Sequence, residues 1–123
     1  MQTLERYLEA LRTQDWESLA SCLAEDVQRS GPYLDVVRGK QPYLGFLSKI
    51  LPSLRNYQLK VSRVRNLEGG SALVELVEAL DVDGVRKEFS EALLFDFDEE
   101  GLIRRVDIYM KQPPPVGRSQ SGS

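Results

Sequence analysis

The strongest constraint on the fold is the pair Asp83-Gly84, which lies between two long alternating segments of the chain. Such a pair suits a two-residue hairpin turn whose central residues take positive φ. Residues 71–82 and 85–97 alternate between apolar and polar side chains, which is the pattern of half-buried β-strands. A two-residue turn pairs Val82 with Val85, so it determines the register of the whole hairpin.

This register places two acidic residues on a face that is otherwise apolar. Counting back from the turn puts Glu78 opposite Phe89, and Leu76 opposite Glu91. Glu78 and Glu91 are then diagonal neighbours on one face, ~7–8 Å apart. The other predicted members of this face are Ala72, Val74, Leu80, Val82, Leu93, Phe95 and Phe97.

The first part of the chain predicts helices. A first helix is indicated by apolar residues at helical spacing, and Asp15 is a suitable N-cap for a second. The Gly31-Pro32 pair ends a short extended piece at 27–30, and a third helix is expected over about 40–54. The apolar faces of the first two helices contain Leu4, Tyr7, Leu8, Leu11, Trp16, Leu19 and Leu23.

Further strands are predicted at 33–38, 57–66 and 102–111, so the helices precede an antiparallel meander. This order predicts an α+β fold with the helices on one face of a curved sheet. Two registers are open for the last strand. A four-residue loop puts Val106, Ile108 and Met110 inward, whereas a three-residue loop with a bulge puts Asp107 and Tyr109 inward. We favour the first, because it leaves Arg105, Asp107 and Lys111 on the outer face.

Composition excludes several classes of function. The chain has no His, so a Ser-His-Asp or Cys-His nucleophile and a His-ligated metal site are impossible. A single cysteine, Cys22, cannot close an internal disulfide. A net charge of −3, from 16 basic and 19 acidic residues, argues against nucleic-acid binding. No cofactor or metal is expected.

The domain organisation follows from length and from the tail. No apolar run approaches the ~20 residues of a membrane span, and the first residues show no signal-peptide pattern. We therefore expect a cytoplasmic protein without a membrane partner. One domain over 1–111 is predicted, followed by a flexible tail at 112–123 that is rich in Pro, Gly and Ser.

Several segments together resemble the nuclear transport factor 2-like superfamily, in its SnoaL-like and ketosteroid isomerase branch. The resemblance covers roughly residues 3–111. It implies a cone-shaped curved sheet with three N-terminal helices that enclose an apolar pocket. The segments that carry it are 6–11 (Arg-Tyr-Leu-Glu-Ala-Leu), 15–19 (Asp-Trp-Glu-Ser-Leu), 23–27 (Leu-Ala-Glu-Asp-Val), Gly31-Pro32, Arg38-Gly39 and 95–103 (Phe-Asp-Phe-Asp-Glu-Glu-Gly-Leu-Ile).

The resemblance carries over only part of the family's catalytic residues. Tyr7 matches the tyrosine that donates a hydrogen bond to the substrate oxyanion in ketosteroid isomerases. Their general-base aspartate falls on Gly31, and their second, protonated aspartate falls on Leu93. Ketosteroid isomerase activity is therefore not expected. SnoaL-type cyclases often use an Asp with a His, and this chain has no His. The Asp-Arg-Asp set of the epoxide hydrolases cannot be assigned to residues of this sequence.

The family register also turns Arg29 toward Glu78 and Glu91. Two neighbouring carboxylates in a low-dielectric site cannot both ionise cheaply, so one is expected to hold a proton near neutral pH. The pair could then serve enolisation or ring closure, with Tyr7 as oxyanion donor. Alternatively, Arg29 neutralises the acids in a buried ion pair, or the acids lie in water at the pocket mouth.

The sequence thus predicts a pocket protein for a small apolar molecule. The first hypothesis is a cofactor-free isomerase, cyclase or hydrolase-like enzyme acting on an apolar, ring-containing substrate. The alternative is a non-catalytic ligand-binding or dimerisation module of the same fold. Trp16 could equally pack the helical hairpin, and Tyr57 could merely start the sheet. The candidate catalytic residues are Tyr7, Glu78 and Glu91, and the candidate ligand contacts are Arg29, Trp16, Tyr57, Leu76, Leu93, Phe95, Ile108 and Met110.

A homodimer through the outer face of the sheet is also expected. That face would otherwise leave a series of apolar groups in water. The residues assigned to it are Leu73, Val77, Ala79, Ala92, Leu94, Ile103 and Tyr109.

Overall fold

The N-terminal helices bury the apolar stripe that the sequence predicts. In the computed structural model, which describes residues 2–112, α1 spans Gln2–Thr13 and α2 spans Trp16–Ala20. Leu4, Tyr7, Leu8 and Leu11 of α1 are all buried. Asp15 caps α2, because its carboxylate accepts hydrogen bonds from the backbone N–H and the hydroxyl of Ser18 at 3.2 and 2.7 Å. Of the predicted tail, residues 113–123 lie outside the described residues.

The second helix is shorter than predicted. It ends at Ala20, and the first strand, β1, begins at Leu23 and runs over Leu23–Ser30. The assignment of Leu23 to a helix was therefore wrong, although its side chain is buried as expected. Its spacing from Leu19 suits a helix, but pairing with Ile103 on a distant strand decides the conformation. Cys22 lies in the intervening turn, where its carbonyl accepts from the Ile103 N–H at 2.8 Å.

Six strands form one open sheet. The strands after β1 are β2 (Val36–Arg38), β3 (Arg55–Leu67), β4 (Ser71–Val82), β5 (Val85–Phe97) and β6 (Ile103–Met110). Their order is β2-β1-β6-β5-β4-β3. Neighbouring strands are antiparallel except β1 and β6, which are parallel. The α+β fold is confirmed, with one parallel pair in a mostly antiparallel sheet.

The predicted hairpin register is confirmed. Val82 pairs with Val85, and Glu78 pairs with Phe89. Leu76 pairs with Glu91. Asp83 and Gly84 adopt φ values of 51° and 78°, as the two-residue turn requires.

The last strand adopts the inward register that we favoured. Val106, Ile108 and Met110 pair with Phe95, Leu93 and Glu91, respectively. A register shift between the pairs of Asp96 and Phe97 absorbs an extra residue next to the 98–102 connection. This shift also buries Ile103 completely, so its assignment to the outer face was wrong.

A third helix, α3, spans Lys40–Ile50 and covers the inner face of the sheet. It ends four residues earlier than predicted, because the chain tightens into a 3₁₀ turn at Leu51–Ser53. Tyr43, Leu47 and Leu51 are buried against the core. The core therefore lies between the helices and one face of the sheet. No helix within residues 2–112 is long and apolar enough to span a membrane.

Candidate functional site

A cavity of about 360 Å³ lies between α1, α3 and the inner face of the sheet. Its wall is mostly apolar, as is usual for sites that bind small organic molecules. Six polar side chains interrupt the wall, namely Tyr7, Arg29, Tyr33, Asp35, Glu78 and Glu91. The apolar lining consists of Leu11, Pro32, Phe46, Leu47, Ile50, Leu51, Leu54, Leu59, Leu76, Leu93 and Ile108.

Glu78 and Glu91 form a coupled carboxyl pair on the wall of this cavity. Burial, hydrogen bonding to Glu78 and the charge of Glu78 together raise the pKa of Glu91 from 4.5 to about 9, and Arg29 opposes the shift. The Tyr57 hydroxyl donates a hydrogen bond to Oε2 of Glu78. Burial and the charge of Glu78 raise the pKa of Tyr57, so it stays protonated. At neutral pH Glu91 therefore holds its proton, next to the Glu78 side chain that accepts from Tyr57.

A second polar pair lies at the helical side of the cavity. The hydroxyl oxygens of Tyr7 and Tyr43 are 2.5 Å apart, and both side chains are buried. Burial is the main cause that raises the pKa of each. One hydroxyl donates to the other, and residues 2–112 offer no further acceptor for the remaining O–H. When Tyr43 donates, the proton of Tyr7 is free for a ligand in the cavity that Tyr7 lines.

Arg29 pairs with Asp35. Its Nη1 donates to Oδ2 of Asp35 at 3.2 Å, and its guanidinium carbon lies 4.7 Å from the centre of the Phe46 ring. The backbone N–H of Tyr33 donates to the other oxygen of Asp35 at 3.2 Å. Burial opposes ionisation of Asp35, but hydrogen bonds from its own backbone N–H and from that of Tyr33, together with Arg29, lower its pKa overall. Arg29 thus reaches the cavity as predicted, with Asp35 as its ion-pair partner.

Gly31 is required by the position of Asp35. A Cβ atom at residue 31 would lie 2.4 Å from both carboxylate oxygens of Asp35, which is far inside contact distance. The Gly31 N–H also donates to the Asp35 carbonyl at 2.7 Å, which closes the loop 31–35. The carboxylate of Asp35 therefore fills the space that a side chain at position 31 would need.

Four further predicted ligand contacts lie on the cavity wall or directly behind it. Leu76, Leu93 and Ile108 line the cavity. Phe95 is completely buried and packs edge-on against Tyr7, with ring centres 5.4 Å apart, so it supports the wall from behind.

Three predicted contacts lie elsewhere. Trp16 is partly buried against the core, in line with its packing alternative. Met110 lies in a second groove, of about 340 Å³, which also contains outward-facing residues of β4, β5 and β6. Tyr57 reaches the site through Glu78.

Sequence reasoning missed Tyr43, Asp35 and Phe46. Tyr43 could have been found, because it precedes Leu47 and Leu51 at helical spacing on the buried face of α3. Asp35 and Phe46 meet Arg29 only through the loop 31–35 and the docking of α3, which no local pattern reveals. Among the described residues, no three acidic or Cys side chains are grouped in a way that could hold a metal ion.

The sequence profile of the SnoaL-like domain matches residues 4–106. No curated protein matches the chain at a significant level. Three similar solved structures illustrate the range of relatives. An LEH-like epoxide hydrolase from Mycobacterium tuberculosis is 22% identical with a TM-score of 0.76, over 89% of this chain and 80% of that one.

The other two similar structures are named as candidate enzymes of other classes. A candidate ketosteroid isomerase from Kribbella flavida is 27% identical with a TM-score of 0.76, over 92% of this chain and 80% of that one. A candidate SnoaL-like polyketide cyclase from Shewanella denitrificans is 14% identical with a TM-score of 0.80, over 98% of this chain and 96% of that one. These names associate the fold with several chemistries, as is common for widespread folds.

Proposed function

The chain belongs to the SnoaL-like domain family, and from this premise we propose that it binds a small apolar, ring-containing molecule and transfers protons within it. The observation that carries the proposal is the coupled pair of Glu78 and Glu91 on the wall of an apolar cavity. A neutral acid beside an ionised carboxylate offers a donor and an acceptor at the same pH. No cofactor is needed for such a step.

The roles follow from the environment of each group. Glu78 is assigned as the base, because Tyr57 donates a hydrogen bond to it and its charge acts on Glu91. Glu91 acts as the acid, because its pKa of about 9 keeps it protonated. In an enolisation, Glu78 takes a proton from the carbon next to a carbonyl, while Glu91 or Tyr7 donates to the carbonyl oxygen. Glu78 then gives its proton to a different carbon while the enol oxygen returns its proton to the donor, which completes an isomerisation and restores the starting protonation states.

The names of similar structures support acid–base chemistry without selecting one reaction. Epoxide hydration, ketosteroid isomerisation and polyketide cyclisation each move a proton to or from carbon or oxygen. With Gly31 and Leu93 at the positions that the resemblance gives to catalytic aspartates, isomerisation of ketosteroids is the least expected of them. The proposal therefore covers isomerase, cyclase or hydrolase-like activity on a ring-containing substrate.

A non-catalytic binding module is the second candidate. It is favoured by the fact that the polar groups of the cavity already pair with one another or with neighbours. Tyr57 bonds to Glu78, Tyr7 to Tyr43 and Arg29 to Asp35. Such pairs leave an apolar ligand free to bind without any reaction.

Two probes test the proposal in solution. Deuterium uptake by 1-indanone in D₂O, followed by NMR, reports enolisation, and conversion of 1,2-epoxyindane to the diol reports hydrolysis. We expect the protein to accelerate at least one of these reactions. A thermal-shift series with the same compounds reports binding, since a ligand at 100 times its Kd adds ~2.7 kcal/mol of stability.

Variants connect the activity with the carboxyl pair. Glu78→Gln and Glu91→Gln should each lower the rate about 10²- to 10⁴-fold, the usual contribution of a general acid or base. Glu88→Gln is the matched control, because Glu88 lies on the same strand as Glu91 but is exposed. Binding of both probes without turnover of either would favour the non-catalytic module.

We also propose that two copies associate through the outer face of the sheet. Tyr109 is 60% exposed there, and Leu73, Val77, Ala92 and Leu94 are half-buried. The groove of about 340 Å³ includes Val77, Ala92 and Tyr109 of this face and gives it a concave surface for a partner copy. Sedimentation equilibrium at micromolar concentration should show a species of twice 13.9 kDa. A Tyr109→Arg variant should shift it to monomer, and a monomeric wild type would contradict the proposal.

A further inference from the structure

We infer that the ligand carries an acceptor oxygen, a ketone or a carboxylate, at the end that faces the loop 31–35, and that Arg29 binds it. This inference rests on the proposed function, because it names the chemical class of the molecule in the same cavity. It divides that molecule into an apolar ring body and two polar ends. One end meets the pair of Glu78 and Glu91, and the other end meets Arg29.

The hydrogen-bonding capacity of Arg29 is largely unused. A guanidinium group has five N–H donors, and within residues 2–112 only Nη1 makes a side-chain hydrogen bond, to Asp35. The side chain is only 12% exposed, so bulk water has little access to it. No buried side-chain nitrogen or oxygen of the described residues lacks a partner, so the free donors reach open space. The cavity that Arg29 lines provides this space.

Its neighbours hold the guanidinium in one orientation. The guanidinium carbon lies over the Phe46 ring, 4.7 Å from its centre, and both side chains belong to the cavity wall. A cation over an aromatic ring is attracted to it and keeps its edges free for hydrogen bonds. Asp35 makes a single contact to one nitrogen, at 3.2 Å. The remaining edge of the planar fork is therefore available to a second oxygen, in the geometry that carboxylates and carbonyls accept.

The charges around the cavity favour an acceptor at this end rather than at the other. Arg29 is the one cationic side chain that lines the cavity within the described residues. The part of the wall formed by Glu78 and Glu91 has no cation among its lining residues, and the charge of Glu78 disfavours an anionic group there. A ligand that places its acceptor oxygen against Arg29 avoids this wall. It also gives the unused N–H donors of Arg29 a hydrogen-bond partner.

The topology sets the length of the ligand. Arg29 pairs with Val106, which pairs with Phe95, and Glu91 lies four residues from Phe95 along the same strand. With ~4.8 Å between strands and ~3.3 Å per residue, the Cα atoms of Arg29 and Glu91 are roughly 16 Å apart in a flat sheet. The two long side chains cover part of this span from opposite sides. A body of one or two rings fills the rest, in agreement with a cavity of about 360 Å³.

Three naphthalenes of similar shape test the inference by calorimetric titration. They are 2-naphthoate, 2-acetylnaphthalene and 2-ethylnaphthalene, which present a carboxylate, a ketone and a hydrocarbon group, respectively. We expect the two oxygenated compounds to bind about 10- to 100-fold more tightly than 2-ethylnaphthalene, the range for a hydrogen bond to a charged group. In Arg29→Met this preference should disappear, while the Kd of 2-ethylnaphthalene changes less than about threefold, because the aliphatic side chain keeps its contact with Phe46.

Two further variants make the result specific. Arg105→Met removes an arginine that is half-exposed on β6, outside the cavity, and should leave every Kd unchanged. Asp35→Asn should tighten 2-naphthoate more than 2-acetylnaphthalene, because it removes a negative charge beside the bound carboxylate. Asp35→Asn also provides a test if Arg29→Met fails to fold. If the affinity of 2-naphthoate rises no more than that of 2-acetylnaphthalene in Asp35→Asn, the result would count against binding of the carboxylate beside Arg29.

The outcomes separate this inference from the proposed function. If all three compounds bind wild type equally, or if the preference survives Arg29→Met, the inference is wrong while the cavity remains a binding site. If none of the three binds, the proposed function fails and the inference fails with it.

Discussion

Replacing Glu91 with Gln should make the protein more stable at neutral and alkaline pH. In the folded protein the pKa of Glu91 is raised from 4.5 to about 9. Between these values the folded protein holds a proton that the unfolded chain has lost, so stability falls as pH rises. Each pH unit in this window changes the free energy of unfolding by about 1.4 kcal/mol. At pH 7 the wild type is therefore less stable than at pH 4.5 by about 3 kcal/mol from this group alone.

Glutamine has nearly the same shape as the protonated carboxyl and can donate to Glu78 in its place. The difference in stability between Glu91→Gln and wild type should thus be small at pH 4.5 and should reach about 3 kcal/mol at pH 7 in favour of the variant. Urea unfolding at half-unit pH steps from 4.5 to 8.5 measures both curves. Subtraction removes the contributions of titrating groups that do not interact with Glu91, which the two proteins share.

Glu88→Gln provides the matched control, because Glu88 is exposed on the same strand. Its curve should follow that of wild type within about 0.5 kcal/mol, as for most exposed substitutions. Parallel curves for wild type and Glu91→Gln across the whole range would refute the reasoning. Glu91 would then ionise in the folded protein much as it does in the unfolded chain.

Three other outcomes are expected. Leu34→Asn should raise stability by about 1 kcal/mol in urea unfolding, because Leu34 is 92% exposed at a φ of 65°, a region that Asn tolerates better; an unchanged or lower value would contradict this. Gly31→Ala should lower stability by about 1–3 kcal/mol, since the new Cβ displaces the Asp35 carboxylate from Arg29 and the Tyr33 N–H; wild-type stability would show that the loop yields freely. A 5-ene-3-ketosteroid should not be isomerised above the uncatalysed rate in an absorbance assay, and clear turnover would mean that another carboxylate replaces the missing base.

The hairpin could be predicted because its information is local. The two-residue turn at Asp83-Gly84 sets the register, so the diagonal placement of Glu78 and Glu91 follows by counting. The start of β1 could not be predicted in this way. Leu23 fits both a helical face and a strand, and its parallel pairing with Ile103 connects residues eighty positions apart. The burial of Ile103 likewise depends on a register shift that the sequence does not mark.

The candidate site likewise combines residues that the sequence predicts with residues that it does not. The carboxyl pair, Tyr7 and the lining residues Leu76 and Leu93 follow from periodicity and from the resemblance. The partners that orient the polar groups follow from neither periodicity nor the resemblance. Tyr57 reaches Glu78 from β3, across a strand pair whose register contains shifts. Tyr43, Asp35 and Phe46 are brought to their partners by the loop 31–35 and by the docking of α3.

The most direct test of the central claim is a ¹³C NMR titration of the glutamate side-chain carboxyls. The account predicts that the Glu91 resonance of wild type titrates far above 4.5, toward a pKa of about 9, because of burial and of Glu78. In Glu78→Gln the neighbouring charge is lost, so the pKa of Glu91 should fall, though burial keeps it above its ordinary value. A Glu91 carboxyl that titrates near 4.5 in both proteins would contradict the account, since the two acids would then be independent and exposed to water.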